Sequence, residues 1–339
     1  MSTNPLRTHF PGLLYVALLS LLGFWLSQTQ LVRQWGLGAL TVAILLGMLL
    51  ANLLPLFNHP RLQLGILFSK TTLLRWGIIL YGFRLTLTQV SELGISGLLS
   101  DVLMLSCTFV LCYLMGRKLL GLDAHTSALI GAGSSICGAA AVIATGSTIK
   151  APQHAQACAI ATVVIFGSLS LLLYPVLYRY GLWPLDDHFF ALYIGSSVHE
   201  VAQVVAAGQA INPEIADTAI ISKMLRVMLL APFLLILPRC LSFTTSNTKR
   251  QLPIPWFAFG FLAVMLFNSY IHLPEQGLQL LHNLGDILLG MAMLALGLNT
   301  SISALKNAGM KPIALGAIAW VWLVVGGAAV HSMLYGLLG

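Results

Sequence analysis

Apolar runs of about twenty residues recur along this chain, and they decide what it can fold into. A stretch of that length is what an α-helix needs to cross a hydrocarbon core about 30 Å thick. Only 8% of the 339 residues are charged, whereas a soluble domain carries about 25%. The sequence therefore predicts an all-α polytopic membrane protein. Its basic residues are too dispersed to indicate nucleic-acid binding.

Polar residues, prolines and glycines divide the chain into eleven candidate membrane spans. These lie at 10–27, 36–54, 71–89, 94–116, 125–149, 155–178, 189–209, 217–239, 255–272, 280–299 and 312–337. The segments between them place eleven basic residues on one side of the membrane and three on the other. By the positive-inside rule, the amino terminus is cytoplasmic and the carboxyl terminus is outside.

The spacing of the spans predicts two repeats of five helices. Residues 36–178 form the first repeat and residues 189–337 the second, with 10–27 left as an extra first helix. Because five is an odd number, the second repeat is inverted in the membrane, as in many secondary transporters. The loops are short, so we predict a single transmembrane domain over residues 1–339.

Residues 131–149, GAGSSICGAAAVIATGSTI, consist almost entirely of small side chains. Ser134 and Ser135 favour a helix start and Gly138 tolerates non-helical backbone, which indicates a helix broken beside Cys137. A half-helix beginning near Gly138 would present its positive amino end to an anion at membrane depth. The alternative is a continuous helix that packs closely through small residues.

The segment GLNTSIS at 297–303 ends the tenth span with three capping residues, Asn299, Thr300 and Ser301. Interrupted segments at corresponding places in two repeats indicate a substrate site at the membrane midplane. We therefore predict that these three residues bind substrate together with the segment around Gly138. The alternative is an ordinary polar helix end at the membrane interface.

The segment GSSVHEVAQVVAAG at 195–208 places a titratable pair inside a span. Ser196, His199 and Gln203 fall on one helical face, with Glu200 beside them. Ionisable residues inside a membrane are costly and indicate function, and histidine changes charge near neutral pH. We predict that His199, Glu200 and Gln203 couple transport to protons. The alternative is a satisfied polar pair that joins two helices.

The same segment raises the hypothesis of an intramembrane zinc hydrolase. The HExxH motif supplies two zinc ligands one helical turn apart. Here Gln203 replaces the second histidine, and no third ligand is evident. No phosphate-binding loop, haem motif or flavin motif occurs, so we predict no enzyme activity, no metal and no cofactor.

Two cations lie in the segment AIISKMLRVMLLAPFLL of the eighth span. Lys223 and Arg226 are three residues apart and share a helical face. We predict that they form a cationic wall for an anionic substrate, or countercharges to Glu200. The alternative is that both side chains extend to the membrane interface. Asp101 is expected near an interface as well.

The segments SSICGAAAV, SVHEVAQVVAAG, KMLRVMLLAP and LLGMAMLALGLNTS resemble those of the YeiH-type bacterial inner-membrane proteins, a family also referred to as sulfate exporters. The resemblance extends over essentially the whole chain. It implies a location in the bacterial inner membrane and inverted repeats with crossed, broken helices. It also implies a core domain that moves against a scaffold, often within a homodimer.

Together these features predict a secondary transporter of a small anion, such as sulfate or a sulfonate. It would work by alternating access in the lipid bilayer, with proton coupling through His199 and Glu200. There are two alternatives: an intramembrane hydrolase that uses these two residues, and a passive anion channel.

Overall fold

A computed structural model describes residues 5–30, 32, 38–53, 60–183, 185–241, 255–271, 273–300 and 309–338. Over these ranges the regular structure is entirely helical. The α-helices, numbered in chain order, are α1 (Pro5–Ser27), α2 (Ala39–Leu53), α3 (Pro60–Phe68), α4 (Leu74–Tyr81), α5 (Leu87–Glu92), α6 (Gly94–Leu114), α7 (Ala124–Ser135), α8 (Ala139–Thr148), α9 (Gln153–Arg179), α10 (Asp187–Ser197), α11 (Val201–Gln209), α12 (Pro213–Met228), α13 (Leu230–Cys240), α14 (Trp256–Tyr270), α15 (Glu275–Leu298), α16 (Met310–Val321) and α17 (Gly327–Leu338).

Several helices join into longer segments that can cross a membrane. A π-helical turn, Ser69–Leu73, joins α3 to α4, and another, Trp322–Gly326, joins α16 to α17. Within the described part of the chain, six helical segments are long and apolar enough to span. A seventh appears if α12 and α13, bent by 41° relative to each other, count as one span.

The other predicted spans have different forms. The predicted spans 36–54 and 255–272 correspond to the 15-residue helices α2 and α14. The predicted spans 125–149 and 189–209 are each divided into two shorter helices. The structure thus confirms the all-α membrane class, while the count of eleven spans and the inverted repeats stay predictions.

Contacts between helices divide the chain into two compact units. Unit 1 comprises Met1–Gln89 and Phe257–Ile302, and unit 2 comprises Val90–Trp256 and Ser303–Gly339. Each unit therefore combines a segment of the predicted first repeat with a segment of the second.

Unit 1 is built around the packing of α2 against α15. A Cβ atom added at Gly47 or at Gly297 would overlap the backbone of the opposite helix, so the two backbones approach each other closely at these glycines. Such close packing through small residues is typical of membrane helices. Arg84 also forms an ion pair of 2.8 Å with Asp286 of α15. Asp286 is therefore paired with a cation inside unit 1.

Unit 2 contains helices whose starts are fixed by side-chain caps. Asp123 accepts a hydrogen bond of 2.9 Å from the Thr126 amide at the start of α7. Asp186 accepts one of 2.8 Å from Phe189 N at the start of α10, and Asn212 caps α12 in the same way. Each cap satisfies an amide that a helix leaves without an internal partner. The caps therefore fix where the helices that form the buried centre of unit 2 begin.

The cap at Asp123 provides a test of this arrangement. We expect Asp123→Ala to destabilise the protein by about 1 kcal/mol, because the Thr126 amide loses its acceptor. Asp123→Asn, which retains an acceptor, should stay close to wild type. Thermal unfolding in detergent at neutral pH checks this expectation, and an equal loss in both variants would contradict it.

The same cap should also depend on pH. Partial burial acts to raise the pKa of Asp123, but hydrogen bonds from Thr126 and from backbone amides outweigh this and hold it below its usual range. The stabilising contribution is therefore complete above the ordinary pKa of about 3.9 and is lost as pH falls through the lowered folded value. The stability difference between wild type and Asp123→Ala should accordingly shrink in acid.

Candidate functional site

Two broken helices meet inside unit 2. The first break separates α7 from α8 at residues 136–138, where Gly138 has φ 70° and ψ −134°. The second separates α10 from α11 at residues 198–200. The Ala139 amide donates a hydrogen bond of 3.3 Å to the Glu200 carboxylate, which joins one break to the other. The break predicted beside Cys137 is thus present, and α8 begins at the expected position.

Gly138 is required here for two reasons. Its positive φ and extended ψ define a backbone conformation that residues other than glycine rarely adopt. A Cβ at this position would also overlap the Cγ atom of Glu200. The contact between the two breaks therefore depends on a residue without a side chain.

Glu200 is held at the amino ends of two half-helices. It is the N-cap of α11 and forms a capping box with Gln203, in which the Gln203 Oε1 atom accepts from the Glu200 amide at 3.2 Å. Gln203 Nε2 in turn lies 3.4 Å from the Ser168 hydroxyl of α9. The carboxylate of Glu200 therefore faces the positive ends of both α8 and α11.

The two cations of α12 are both buried, so neither extends to an interface. Lys223 is 1% exposed, and its Nζ atom donates a hydrogen bond of 2.6 Å to the carbonyl oxygen of Val198. Val198 is the residue at which α10 ends, so the ammonium group lies at the negative end of that half-helix. At this break, a cation therefore lies at the carboxyl end of α10 and a carboxylate lies at the amino end of α11.

Arg226 differs from Lys223 because its guanidinium makes no hydrogen bond in the described part of the chain. The residue is 0% exposed, and none of the three guanidinium nitrogens has a hydrogen-bond partner among the residues that the structure describes. Asp101, Cys137 and Tyr174 are its electrostatic neighbours, but none of them is hydrogen-bonded to it. Buried polar groups in proteins are nearly always hydrogen-bonded, so this arrangement requires an explanation.

Polar groups from several other helices surround these cations. Asp101 of α6 is fully buried and accepts hydrogen bonds of 3.2 and 3.3 Å from the Ser222 hydroxyl. The Tyr174 hydroxyl of α9 donates to Ser197 Oγ at 2.7 Å. His331 of α17 lies 3.3 Å from the Ser196 hydroxyl. The site therefore draws on at least six helices of unit 2.

Two further buried polar atoms lie at the breaks without a partner in the described part of the chain. They are the hydroxyl oxygen of Ser134, near the end of α7, and the Nδ1 atom of His199. Ser135, in contrast, is 3.4 Å from the Ala132 carbonyl of its own helix. Together with Arg226, these groups leave both hydrogen-bond donors and acceptors available at the meeting point of the two breaks.

The structure brings together most of the predicted site residues. Those that lie in or beside the breaks of unit 2 are Ser134, Ser135, Cys137, Gly138, His199, Glu200, Gln203, Lys223 and Arg226. One detail of the prediction is wrong. His199 and Glu200 do not lie on a continuous helical face with Ser196 and Gln203, because the helix is interrupted between α10 and α11.

Substrate binding by the segment that ends the tenth span stays a prediction. The helix α15 runs unbroken from Glu275 to Leu298, and the Asn299 and Thr300 side chains donate back to the carbonyls of Ala295 and Leu296. These two residues therefore end a helix of unit 1, and Ser301 lies outside the described residues. The broken helix that meets the α7–α8 pair inside unit 2 is the α10–α11 pair.

Three residues of the site were missed or misplaced by sequence reasoning. Asp101 was expected near an interface but is fully buried against Ser222. An acid inside an apolar span was the available signal. His331 carries a weaker signal of the same kind, and Tyr174 carries none because tyrosine is common in membrane helices.

A separate apolar groove lies between α6 and α13 in unit 2. Its volume is about 590 Å³, and its lining includes Phe109, Phe233 and Leu237. The lining contains no charged side chain. The groove is therefore unsuited to an ionic solute, in contrast to the meeting point of the two breaks.

The fold and the site define a polytopic helical membrane protein with two broken helices that meet at a buried charged cluster. The chain belongs to the family described as "conserved hypothetical protein 698", whose model matches residues 11–316. It is 50% identical over 330 residues to the UPF0324 inner membrane protein YeiH of Escherichia coli K12, covering 96% of this chain and 95% of that protein.

Other relatives match at similar length. The YeiH protein of Salmonella typhimurium is 48% identical over 99% of this chain and 98% of its own. A UPF0324 membrane protein of Haemophilus influenzae is 45% identical over 98% of each chain. No solved structure matches the chain. These relatives confirm the predicted family and, with the apolar helices, the predicted location in the inner membrane.

The dual requirement for Gly138 can be tested by substitution. Gly138→Ala should destabilise the protein by more than the backbone strain of about 1–3 kcal/mol, because the new Cβ also displaces Glu200. The control is Gly181→Ala, which has a positive φ of 57° but no neighbouring atom within 4 Å. Thermal unfolding of both variants checks this expectation. An equal loss in the two variants would show that the contact with Glu200 contributes nothing.

Proposed function

We propose that this protein is a secondary transporter of a small anion, which it binds at the meeting point of the two broken helices. The observation that carries the proposal is the buried guanidinium of Arg226, which has no hydrogen-bond partner among the described residues. Buried guanidinium N–H groups without acceptors are costly and are retained only where another requirement outweighs that cost. Binding of an anionic solute is such a requirement.

The chemistry of the guanidinium group favours an oxyanion. Its planar fork presents two parallel N–H groups that match two oxygens of a carboxylate, sulfate or sulfonate. Sulfate or a sulfonate is also what the resemblance of the sequence motifs implies. Ser134 supports this assignment because its unpartnered hydroxyl can donate to a further oxygen.

The balance of charges around the site indicates which cation is available. Asp101 is engaged by Ser222, Lys223 by the Val198 carbonyl, and Glu200 by the amino ends of two half-helices. Arg226 is the charged group of this cluster with no such partner in the described part of the chain. We therefore assign direct substrate binding to Arg226 and an organising role to Lys223.

The broken helices support a transport mechanism. In secondary transporters, discontinuous helices place their ends at the substrate site, and one bundle moves around that site to give alternating access. The short half-helices α8 and α11 are suited to this role because their ends meet inside the protein. His199 and Glu200 lie in the second break, where a change in protonation would alter the charge next to the bound anion.

Two alternatives remain from the sequence. An intramembrane hydrolase would use His199 and Glu200, but among the described residues no group of three metal-binding side chains is placed to hold an ion. Bound zinc in the purified protein would favour this alternative. A passive channel would conduct without saturation and without exchange between the two sides, which flux measurements distinguish from a transporter.

A thermal-shift screen tests the proposal. A ligand that binds only the folded protein stabilises it and raises its melting temperature. The stabilisation is about 2.7 kcal/mol when the ligand concentration is a hundred times Kd. We expect sulfate or a sulfonate, at matched ionic strength, to stabilise wild type but not Arg226→Met. The control is Arg239→Met, an exposed arginine of α13 bonded to its own helix, which should respond as wild type. Equal stabilisation of Arg226→Met would contradict the assignment.

Substitution of Lys223 and of Arg226 should have different effects on the melting temperature of the ligand-free protein. Lys223→Met should lower the melting temperature, because the carbonyl of Val198 loses its donor. Arg226→Met should lower it less or not at all, because removal of buried N–H groups that have no acceptor offsets the lost attraction to Asp101. Melting curves of the ligand-free variants check this. A larger loss for Arg226→Met than for Lys223→Met would show that Arg226 is the structural cation.

A further inference from the structure

We infer that the Glu200 carboxylate and the substrate anion exclude each other at the amino end of α8, so that an anion binds together with a proton on Glu200. The inference rests on the proposed function, since it concerns the same anion site. It goes beyond that function because it assigns proton coupling to the Glu200 carboxylate and explains the coupling by competition between that carboxylate and the anion.

The first observation is the position of Glu200. Its carboxylate occupies the amino end of α8, where it accepts from the Ala139 amide. This is the place that sequence reasoning assigned to a substrate anion, because a helix amino end attracts negative charge. The protein therefore already holds one anion of its own at this end.

The second observation is an asymmetry in how Glu200 is held. From the α11 side it is fixed by its own backbone position and by the reciprocal capping box with Gln203. On the α8 side its carboxylate accepts from the Ala139 amide at 3.3 Å, which is longer than the roughly 2.7–2.9 Å of a charge-assisted bond. This contact can be exchanged for another acceptor while the backbone of Glu200 stays fixed at the start of α11.

The third observation is that Arg226 lies close to the same break. Cys137 lies immediately before Gly138 and is an electrostatic neighbour of Arg226, Lys223 and Glu200. Arg226 is also unpartnered and fully buried, so a bound oxyanion would lie against its guanidinium. An oxyanion at that position would be close to the negative charge of Glu200, and repulsion between buried charges is screened less than in bulk water.

Protonation of Glu200 relieves this repulsion. Glu200 accepts from the Ala139 amide and interacts electrostatically with the Cys137 thiol and the Lys223 ammonium. The other titratable or charged groups of the cluster include Asp101, His199, Arg226 and His331. Among them Glu200 is the acid that contacts the amino end of α8. The added proton goes to the Glu200 carboxylate, which then releases the Ala139 amide to the anion.

The experiment compares sulfate binding to wild type and Glu200→Gln by calorimetry at pH 6 and pH 8. Glutamine imitates the protonated acid and retains an acceptor for the cap of α11. We expect Glu200→Gln to bind sulfate at least tenfold more tightly than wild type at pH 8. We also expect the sulfate affinity of Glu200→Gln to change less with pH than that of wild type. Sulfate binding should be accompanied by proton uptake in wild type and not in this variant.

The matched control is Glu214→Gln, which makes the same chemical change at an exposed position in the first turn of α12. It should retain the affinity, pH dependence and proton uptake of wild type. If Glu200→Gln does not fold, Glu200→Ser provides a second neutral variant, because serine is a favoured N-cap. Proton uptake by wild type on sulfate binding, measured in weakly buffered solution, needs no variant at all.

The outcomes separate this inference from the proposed function. Sulfate binding that depends on Arg226 but is unchanged or weakened in Glu200→Gln would overturn the inference alone and leave Glu200 as a structural cap. Sulfate binding without proton uptake in wild type would overturn it as well. The absence of binding by every small oxyanion, in wild type and in variants, would instead overturn the proposed function.

Discussion

The contact between Ala139 and Glu200 joins two helix breaks, and the rest of the site depends on it. Helix ends that lie away from water need partners for their unsatisfied amides and carbonyls. Here the protein supplies those partners from its own charged groups, with Glu200 at two amino ends and Lys223 at a carboxyl end. The breaks and the charges therefore require each other, and neither would be stable alone inside an apolar environment.

Arg226 is the group that this mutual compensation leaves out. Every other charge in the cluster has a hydrogen-bonding partner, whereas the guanidinium of Arg226 has none among the described residues. A site that stabilised itself completely would have no affinity left for a solute. In the transporter that we propose, a guanidinium without acceptors beside an organised frame would provide that affinity, and the contact between Glu200 and α8 would regulate it.

The break at Gly138 could be predicted because its signals are local. Serines that favour helix starts and a glycine that tolerates unusual backbone are encoded within a few residues. The break at His199 and Glu200 has a similar local signal, because Gly195, Ser196 and Ser197 precede it just as a glycine and two serines precede the first break, but sequence reasoning did not use it. Its capping box uses glutamate and glutamine, residues that are equally common inside helices, so sequence reasoning treated the segment as continuous.

The segment at Asn299 shows how little capping residues alone decide. The Asn299 and Thr300 side chains donate to the preceding carbonyls and end α15, a structure that the same residue types allow as readily as a break. An acid inside an apolar span marked Asp101 as a candidate, but its contact with Ser222 depends on which helices pack against α6 and could not be predicted. Local chemistry thus indicated the type of site, and tertiary packing decided which polar residues belong to it.

Sulfate flux into proteoliposomes tests the central claim most directly. Labelled sulfate would be supplied outside vesicles that contain either wild type or Arg226→Met, with and without unlabelled sulfate inside. A transporter with Arg226 at its anion site predicts saturable uptake that internal sulfate accelerates by exchange, and no such uptake in the variant. Uptake that is equal in both proteins, or that never saturates, would contradict this account.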